Sequence, residues 1–252
     1  MAVVAPPPGA TIPPPFDWST RSANPWYTQS GVQKIKEKSA PVLGFELDKF
    51  QAECPARILD GQDVFCIHRT GAGKSTLISV PVIVREGTIS VVVAPTNFLQ
   101  RDMVASMQKK NISCVAINSE TLTEAALVSP PRDLWAEAKT GVHWIIFIGP
   151  ETMRKPAYKD FIRNGNVRAR LAQFTVDELH VADEWGVEFR VEFQDIPTMR
   201  AWLPPHTTFV GLSATIEPGR QFGSCLKLMA FQPGFHLEKQ DCERRDITMI
   251  VR

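Results

Sequence analysis

DVFCIHRTGAGKSTLISV (63–80) is the stretch from which the fold is read. Its first six residues, DVFCIH, form a short apolar run with the look of a buried strand. A glycine-bearing turn follows, then apolar sequence of helical length. The same order recurs along the chain. ISVVVAPT (89–96) is a second strand leading into a helix near 98–109, and SCVAIN (113–118) is a third with polar helical sequence after it. HWIIFIG (143–149), QFTVDE (173–178) and TTFVGLSAT (207–215) complete a set of six. Nearly continuous apolar strands alternating with helical stretches predict an α/β fold, a single domain whose mostly parallel sheet carries helices on both faces. Ligands of such sheets gather at the carboxyl ends of the strands. Thr70–Ser75, Pro95, Asp177–His180 and Ser213–Thr215 all fall there.

The bulk numbers fit this class. A chain of 252 residues with 44% hydrophobic and 22% charged residues has the length and composition for a proper core. Its net charge of +1 means that binding to a phosphate backbone needs a local concentration of Lys and Arg. The five cysteines are scattered and form no C-x-x-C pair, which argues against a structural zinc site and against a disulfide framework. Reduced thiols suit a nuclear or cytoplasmic protein. No 18-residue apolar run occurs, and MAVVAPPPGATIPPPF (1–16) lacks the basic start of a signal peptide. Two proline triplets suggest that 1–27 is a flexible, solvated arm, or else a ligand for a proline-recognising domain. TQSGVQKIKEK (28–38) reads as a short helix, and 47–61 as a longer one interrupted by Pro55.

TGAGKST (70–76) joins the first strand to its helix. Gly71 and Gly73 allow successive backbone N–H groups to turn inward around phosphate oxygens, and the helix start adds its positive dipole end. Lys74 reaches β- and γ-phosphates in such a loop, while Ser75 offers a hydroxyl to magnesium. The full G-x-x-x-x-G-K-[ST] pattern asks for a small residue at position 68, where this chain has His68. The plainer alternative is a glycine-rich turn with an incidental lysine. Asp177 and Glu178 close the fifth strand. In a P-loop NTPase the first of two such acids holds magnesium and the second orients and deprotonates the attacking water. A solvated turn is the alternative. Ser213 and Thr215 follow the sixth strand, where their hydroxyls could link a nucleotide site to movement elsewhere.

The order TGxGKS, D-E-x-H, S-A-T resembles superfamily 2 helicases. DELHVADEWGVEFRVEF (177–193), an acidic box with W-G-x-x-F-R at this spacing, resembles the RecQ family of ATP-dependent DNA helicases. VVVAPTNFLQRDMV (91–104) and FIGPETM (147–153) are similar to further segments of that family. The resemblance spans about 44–250. It implies a RecA-like lobe binding ATP and Mg2+, single-stranded or partly duplex DNA as partner, and unwinding in the 3'-5' direction. Carried over by position, Gln51 contacts adenine; Thr70, Gly71, Ala72, Gly73, Lys74, Ser75 and Thr76 line the phosphate site; Asp177 positions magnesium with Ser75. Glu178 is then the general base, and His180 connects hydrolysis to a second lobe. Asn97 belongs to a DNA-contacting segment, Trp185, Phe189 and Arg190 to a DNA-sensing loop, and Ser213 and Thr215 to coupling. Aromatic faces also stack on bases without regard to sequence, by roughly 1–3 kcal/mol per base; core packing is the plain alternative for Trp185 and Phe189.

Departures accompany the resemblance. Leu179 replaces an alanine, Asp183 and Glu184 stand where serine and glutamine are usual, Val187 replaces a polar residue, and the aromatic-Arg-Pro before Gln51 is missing. DCERRDITMIVR (241–252) falls where the family's second lobe begins, so 28–240 is expected to be the first motor lobe and 241–252 the start of a second. A catalytically weak nucleotide- and nucleic-acid-binding module, or an RNA helicase lobe, are the other readings.

Overall fold

A computed structural model describes residues 12–22, 25–181, 193–216 and 219–240. Helices α1 (Gln29–Leu43) and α2 (Lys49–Asp60) precede β1 (Val64–Ile67) and α3 (Thr76–Val84). Then come β2 (Ile89–Val93), α4 (Asn97–Gln108), β3 (Cys114–Ile117), α5 (Ser119–Leu127), α6 (Leu134–Thr140) and β4 (Ile145–Ile148). A 3-10 turn (Pro150–Arg154) leads to α7 (Pro156–Arg163), α8 (Gly165–Arg170) and β5 (Leu171–Val176). The last described elements are α9 (Ile196–Trp202), β6 (Thr208–Ser213), α10 (Arg220–Met229) and β7 (His236–Lys239).

The strands form one seven-stranded sheet in the order β3-β4-β2-β5-β6-β1-β7, and every described pairing is parallel. Alternating side chains supply two cores, because successive residues of a strand face opposite ways. Val64, Cys66, Val92, Phe147, Val210 and Leu212 pack with residues of α1 to α4. Phe65, Ile67, Val91, Val93, Phe174, Val176 and Phe209 pack with residues of α5 to α10. The α/β sheet with helices on both faces is thus as the alternation predicts. All six expected strands are present; β7 is the one that was not foreseen. Its partly exposed, alternating HLEK carries none of the apolar continuity that marked the others.

Two expectations are corrected. Pro55 does not interrupt its helix: α2 runs unbroken from Lys49 to Asp60 with Pro55 buried inside. Proline removes one helical hydrogen bond, but Ala52, Cys54, Ala56, Ile58 and Leu59 bury a whole face against the sheet and hold the segment helical. The second concerns the proline-rich start. Residues 12–22 do not stand off in solvent but lie against the lobe. The Trp18 indole donates to Ala169 O at 2.7 Å and stacks on His206 with ring centroids 4.0 Å apart. Arg21 donates to Ile58 O and Leu59 O, the exposed carbonyl end of α2, and to His206 O and Thr208 Oγ1. Arg170 donates to Pro13 O at 2.7 Å. A guanidinium with its donors in a fixed fork adds to the partners these carbonyls already have, Gly61 N and Thr208 Oγ1 on Ile58 O and Arg85 on Leu59 O.

Arg21→Ala strips two helix carbonyls and a strand-end hydroxyl of a part-buried partner. We expect a loss of about 2 kcal/mol, read as a fall in Tm of roughly 4–8 °C for a domain of this size. An unchanged Tm in thermal denaturation would show that the 12–22 segment contributes nothing to the lobe.

Candidate functional site

Strands β5, β6 and β1 are neighbours, so three strand-end loops are brought to one rim of the sheet. From β1 the chain turns through 68–75 into α3. Gly71 and Gly73 both sit at φ +82°, a left-handed conformation that residues with a Cβ rarely adopt. At Gly73 a Cβ would also lie 2.3 Å from Gln51 Nε2. Gln51 is buried against this turn: its Nε2 donates to Ala72 O at 3.0 Å, and its Oε1 accepts from Asp48 N at the start of α2. Lys74 bends back over the loop, and its Nζ donates to His68 O at 2.7 Å and Arg69 O at 3.2 Å. Thr70, Gly71 and Ser75 are exposed, whereas Thr76 is buried and donates to Gly73 O. The Ser75 side chain caps no N–H of α3, which leaves its hydroxyl outward. Beside the loop opens a cleft of about 550 Å³ lined by Phe50, Arg69, Ala72 and Gln240 among others.

At the end of β5, Asp177 is 8% exposed. Burial, then the charge of Glu178, pushes its carboxyl up to about 7, against the pull of the Glu178 N–H at 3.0 Å and of the Lys74 ammonium. Lys74 and Asp177, about a hundred residues apart in sequence, therefore feel one another's charge. A group poised between charged and neutral near pH 7 in a strand-end cleft is typical of functional sites.

Glu178 has φ +50°, a strained backbone for a non-glycine residue, and this turn swings its carboxylate toward His180. Glu178 Oε2 lies 3.3 Å from His180 Nδ1, and that nitrogen lies 3.0 Å from Ser213 Oγ on β6. Ser213 Oγ in turn donates to the Thr215 carbonyl at 3.0 Å. The acidic turn and the S-A-T turn are thus joined by a continuous polar chain. Leu179, at the position expected to hold alanine, fits because Gly211 faces it: a Cβ there would lie 3.0 Å from Leu179 Cδ2.

Asn97, the first residue of α4, lies on the same rim after β2, the other neighbour of β5. Its Nδ2 donates to Glu120 Oε1 at 3.0 Å. Next to it Phe98 is 81% exposed, an aromatic that reading the sequence did not single out. Its only sequence signal is its place directly after a strand-end turn. Trp185, Phe189 and Arg190 lie outside the described residues, as do Asp183, Glu184 and Val187. Among the described residues no helix is long and apolar enough to cross a membrane.

The family model described as DEAD/DEAH box helicase matches residues 48–221. Among curated proteins, the chain is 29% identical over 177 residues to the RecQ-like DNA helicase blm-1 of Caenorhabditis elegans, covering 67% of this chain and 17% of that protein. It is 27% identical over 205 residues to the ATP-dependent DNA helicase Q1 of Rattus norvegicus, covering 80% of this chain and 31% of that protein. The chain therefore spans about a sixth to a third of the length of these relatives. Among solved structures, the DUF1998 helicase MrfA bound to DNA and AMPPNP matches in fold with a TM-score of 0.62 at 15% identity, over 82% of this chain and 29% of that one. Together these matches define a superfamily 2 helicase domain related to RecQ-like and to other helicases of that superfamily.

The raised Asp177 carboxyl fixes a sign for pH dependence. A carboxyl whose folded pKa, about 7, lies above its ordinary 3.8 favours folding while protonated. Its contribution is lost as pH rises through that window, because the unfolded chain binds fewer protons there. Asp177→Asn, which cannot ionise, is expected to melt higher than the natural protein by a clearly larger margin at pH 8 than at pH 5, the two converging only below the ordinary 3.8. Calorimetry at the two pH values tests this, and a stabilisation of the same size at both would overturn the burial argument.

Proposed function

The chain belongs to the DEAD/DEAH box helicase family, and from that premise we propose that it is the ATP-binding lobe of a RecQ-like DNA helicase. The observation that carries this reading is the meeting of the Lys74 loop with Asp177 and Glu178 at strand ends on either side of β6, with Glu178 tied through His180 to Ser213. Nucleotide binding is supported by a loop with two left-handed glycines, an exposed Ser75 and a lysine whose ammonium, among the described residues, is hydrogen-bonded to backbone carbonyls alone. The backbone N–H groups of 70–75 wrap the phosphates. Lys74 exchanges the His68 and Arg69 carbonyls for phosphate oxygens, gaining a charged partner in place of neutral ones. Gln51 exchanges its bond to Ala72 O for adenine.

Ser75 and Asp177 fit a magnesium ion, being a free hydroxyl and a buried carboxyl beside the lysine. The ion, when bound, draws negative charge from the phosphate oxygens. Glu178 orients the attacking water and takes its proton, a role worth about 10²–10⁴-fold in rate. His180 and Ser213 hold that carboxylate and relay its position to β6.

DNA as partner rests on the names of the relatives and on the rim of β2. Exposed Phe98 offers a stacking face beside Asn97, and the loop with Trp185, Phe189 and Arg190 adds aromatic and cationic contacts. Unwinding needs a second RecA-like lobe to close over the nucleotide and supply arginines, worth about 10³–10⁵ in related NTPases.

Binding of a fluorescent ATP analogue with Mg2+ tests the nucleotide reading. Lys74→Ala is expected to abolish it, while Glu178→Gln keeps binding and lowers single-stranded-DNA-stimulated turnover at least a hundredfold. Binding that survives Lys74→Ala would sink this reading. Phe98→Ala should weaken single-stranded DNA by about 1–3 kcal/mol, in a competition that DNA wins over RNA of the same length. An RNA preference would instead favour an RNA helicase lobe.

A further inference from the structure

A second cluster of reactive side chains lies behind the phosphate loop, on the α2 side of β1 and β7. Parallel pairing aligns Val64 with His236 and Cys66 with Glu238. Residues two apart on a strand share a face, so His236 and Glu238 both turn toward α2, where Cys54 is fully buried. The Cys54 thiol, a His236 ring nitrogen and a Glu238 carboxylate oxygen all lie within 4.8 Å of one another. Glu238 Oε2 is 3.2 Å from His236 Nε2, and its Oε1 is 3.2 Å from His68 Nε2. His68 is buried, Phe50 stacks on it at 4.0 Å, and its Nδ1 has no partner among the described residues. The nucleotide chemistry uses none of these four side chains. His68 is also the residue that departs from the phosphate-loop pattern.

We propose that Cys54, His236 and Glu238 form a binding site for a zinc-class divalent ion, with His68 holding the second oxygen of Glu238. Zinc takes thiolate, imidazole and carboxylate together, whereas magnesium keeps to oxygen donors and leaves the thiolate and imidazole aside. Bonds of about 2.0–2.3 Å around a tetrahedral ion set ligand atoms roughly 3.3–3.8 Å apart, so the cluster needs only a modest contraction. Two of its members stand on half-exposed β7, where side chains have room to adjust. The His68 contact is of the kind that orients a metal-bound carboxylate from outside the ligand set. Burial raises the Cys54 thiol, with Cys66 and Glu238 adding to the effect; a dication reverses that balance and deprotonates a coordinated thiol. Bound there, the ion pins the edge strand to α2 directly behind the phosphate loop. Spacing in the sequence hides such a site, since its ligands come from one helix and from a strand near the other end of the described chain.

The test uses the full chain stripped with a chelator, without nucleotide and in excess Mg2+, titrated with Zn2+ and with Co2+. One ion per chain, a higher Tm and an intense near-ultraviolet thiolate-to-cobalt band are expected. Cys54→Ser removes the band, and His236→Ala and Glu238→Gln each weaken Zn2+ at least tenfold, while Cys114→Ser on distant β3 changes nothing. If Cys54→Ser fails to fold, the two β7 variants decide. Absence of binding, a band that survives Cys54→Ser, or Zn2+ affinity left unchanged in the β7 variants overturns the proposal. Because Lys74→Ala leaves this site intact, the outcome is independent of the nucleotide reading.

Discussion

Strand β6 hydrogen-bonds to β5 on one side and to β1 on the other, and the geometry of the rim follows from that insertion. Neighbouring strands lie about 4.8 Å apart, and a parallel sheet sends every strand-end loop to the same edge. The Lys74 loop, the S-A-T turn and the acidic turn are therefore adjacent, with Ser213 in the middle. At the opposite end of the sheet, Asp63 fixes the same strands. Its carboxylate accepts from Phe209 N and Gln232 N and pairs with Arg200. A buried carboxylate held by two backbone N–H groups and a guanidinium is costly to misplace, so β6 and the start of the β7 approach are locked relative to β1.

Within the rim, the polar groups satisfy each other. Lys74 bonds to its own loop, Gln51 bonds to Ala72 O, and the His180 ring lies between Glu178 and Ser213. Lys74 is thus held by neutral carbonyls, a weaker hold than a charged acceptor gives. Glu178 Oε2, which has no hydrogen bond among the described residues, is one exception, and Asp177 is another. Burial and the charge of Glu178 push the Asp177 carboxyl up to about 7, and the charge of Lys74 offsets only part of that.

The edge of the sheet follows a different logic. β7 is short, half-exposed and charged, features that discourage further strand pairing. Its inward residues meet His68 and Cys54 rather than apolar partners. A histidine where phosphate loops favour a small residue is accommodated because Glu238 receives its Nε2 and Phe50 covers its ring. The loop entrance is not crowded, since the imidazole points away from the phosphate side toward α2.

Local chemistry made much of this legible in advance. Apolar runs of four to six residues named six strands, since a strand buried on both faces must be apolar throughout. Glycines 71 and 73 foretold the left-handed turn because few other residues take that conformation. Pro55 misled, because a proline's local cost is outweighed where a helix buries a full face. Pro13–Pro15 misled likewise: composition marks a solvated arm, but Trp18 and Arg21 just after them find partners some 150 and 185 residues away, while Pro6–Pro8 lie outside the described residues. By itself the sequence determined the class of sheet, the phosphate-type turn and the order of the acidic and S-A-T segments, all of which depend on near neighbours in the chain. Only the tertiary structure decided the strand order, the His180–Ser213 contact across 33 residues and the His68–Glu238 contact across 170. Those pairings depend on which strands share hydrogen bonds, and no local pattern of residues carries that information.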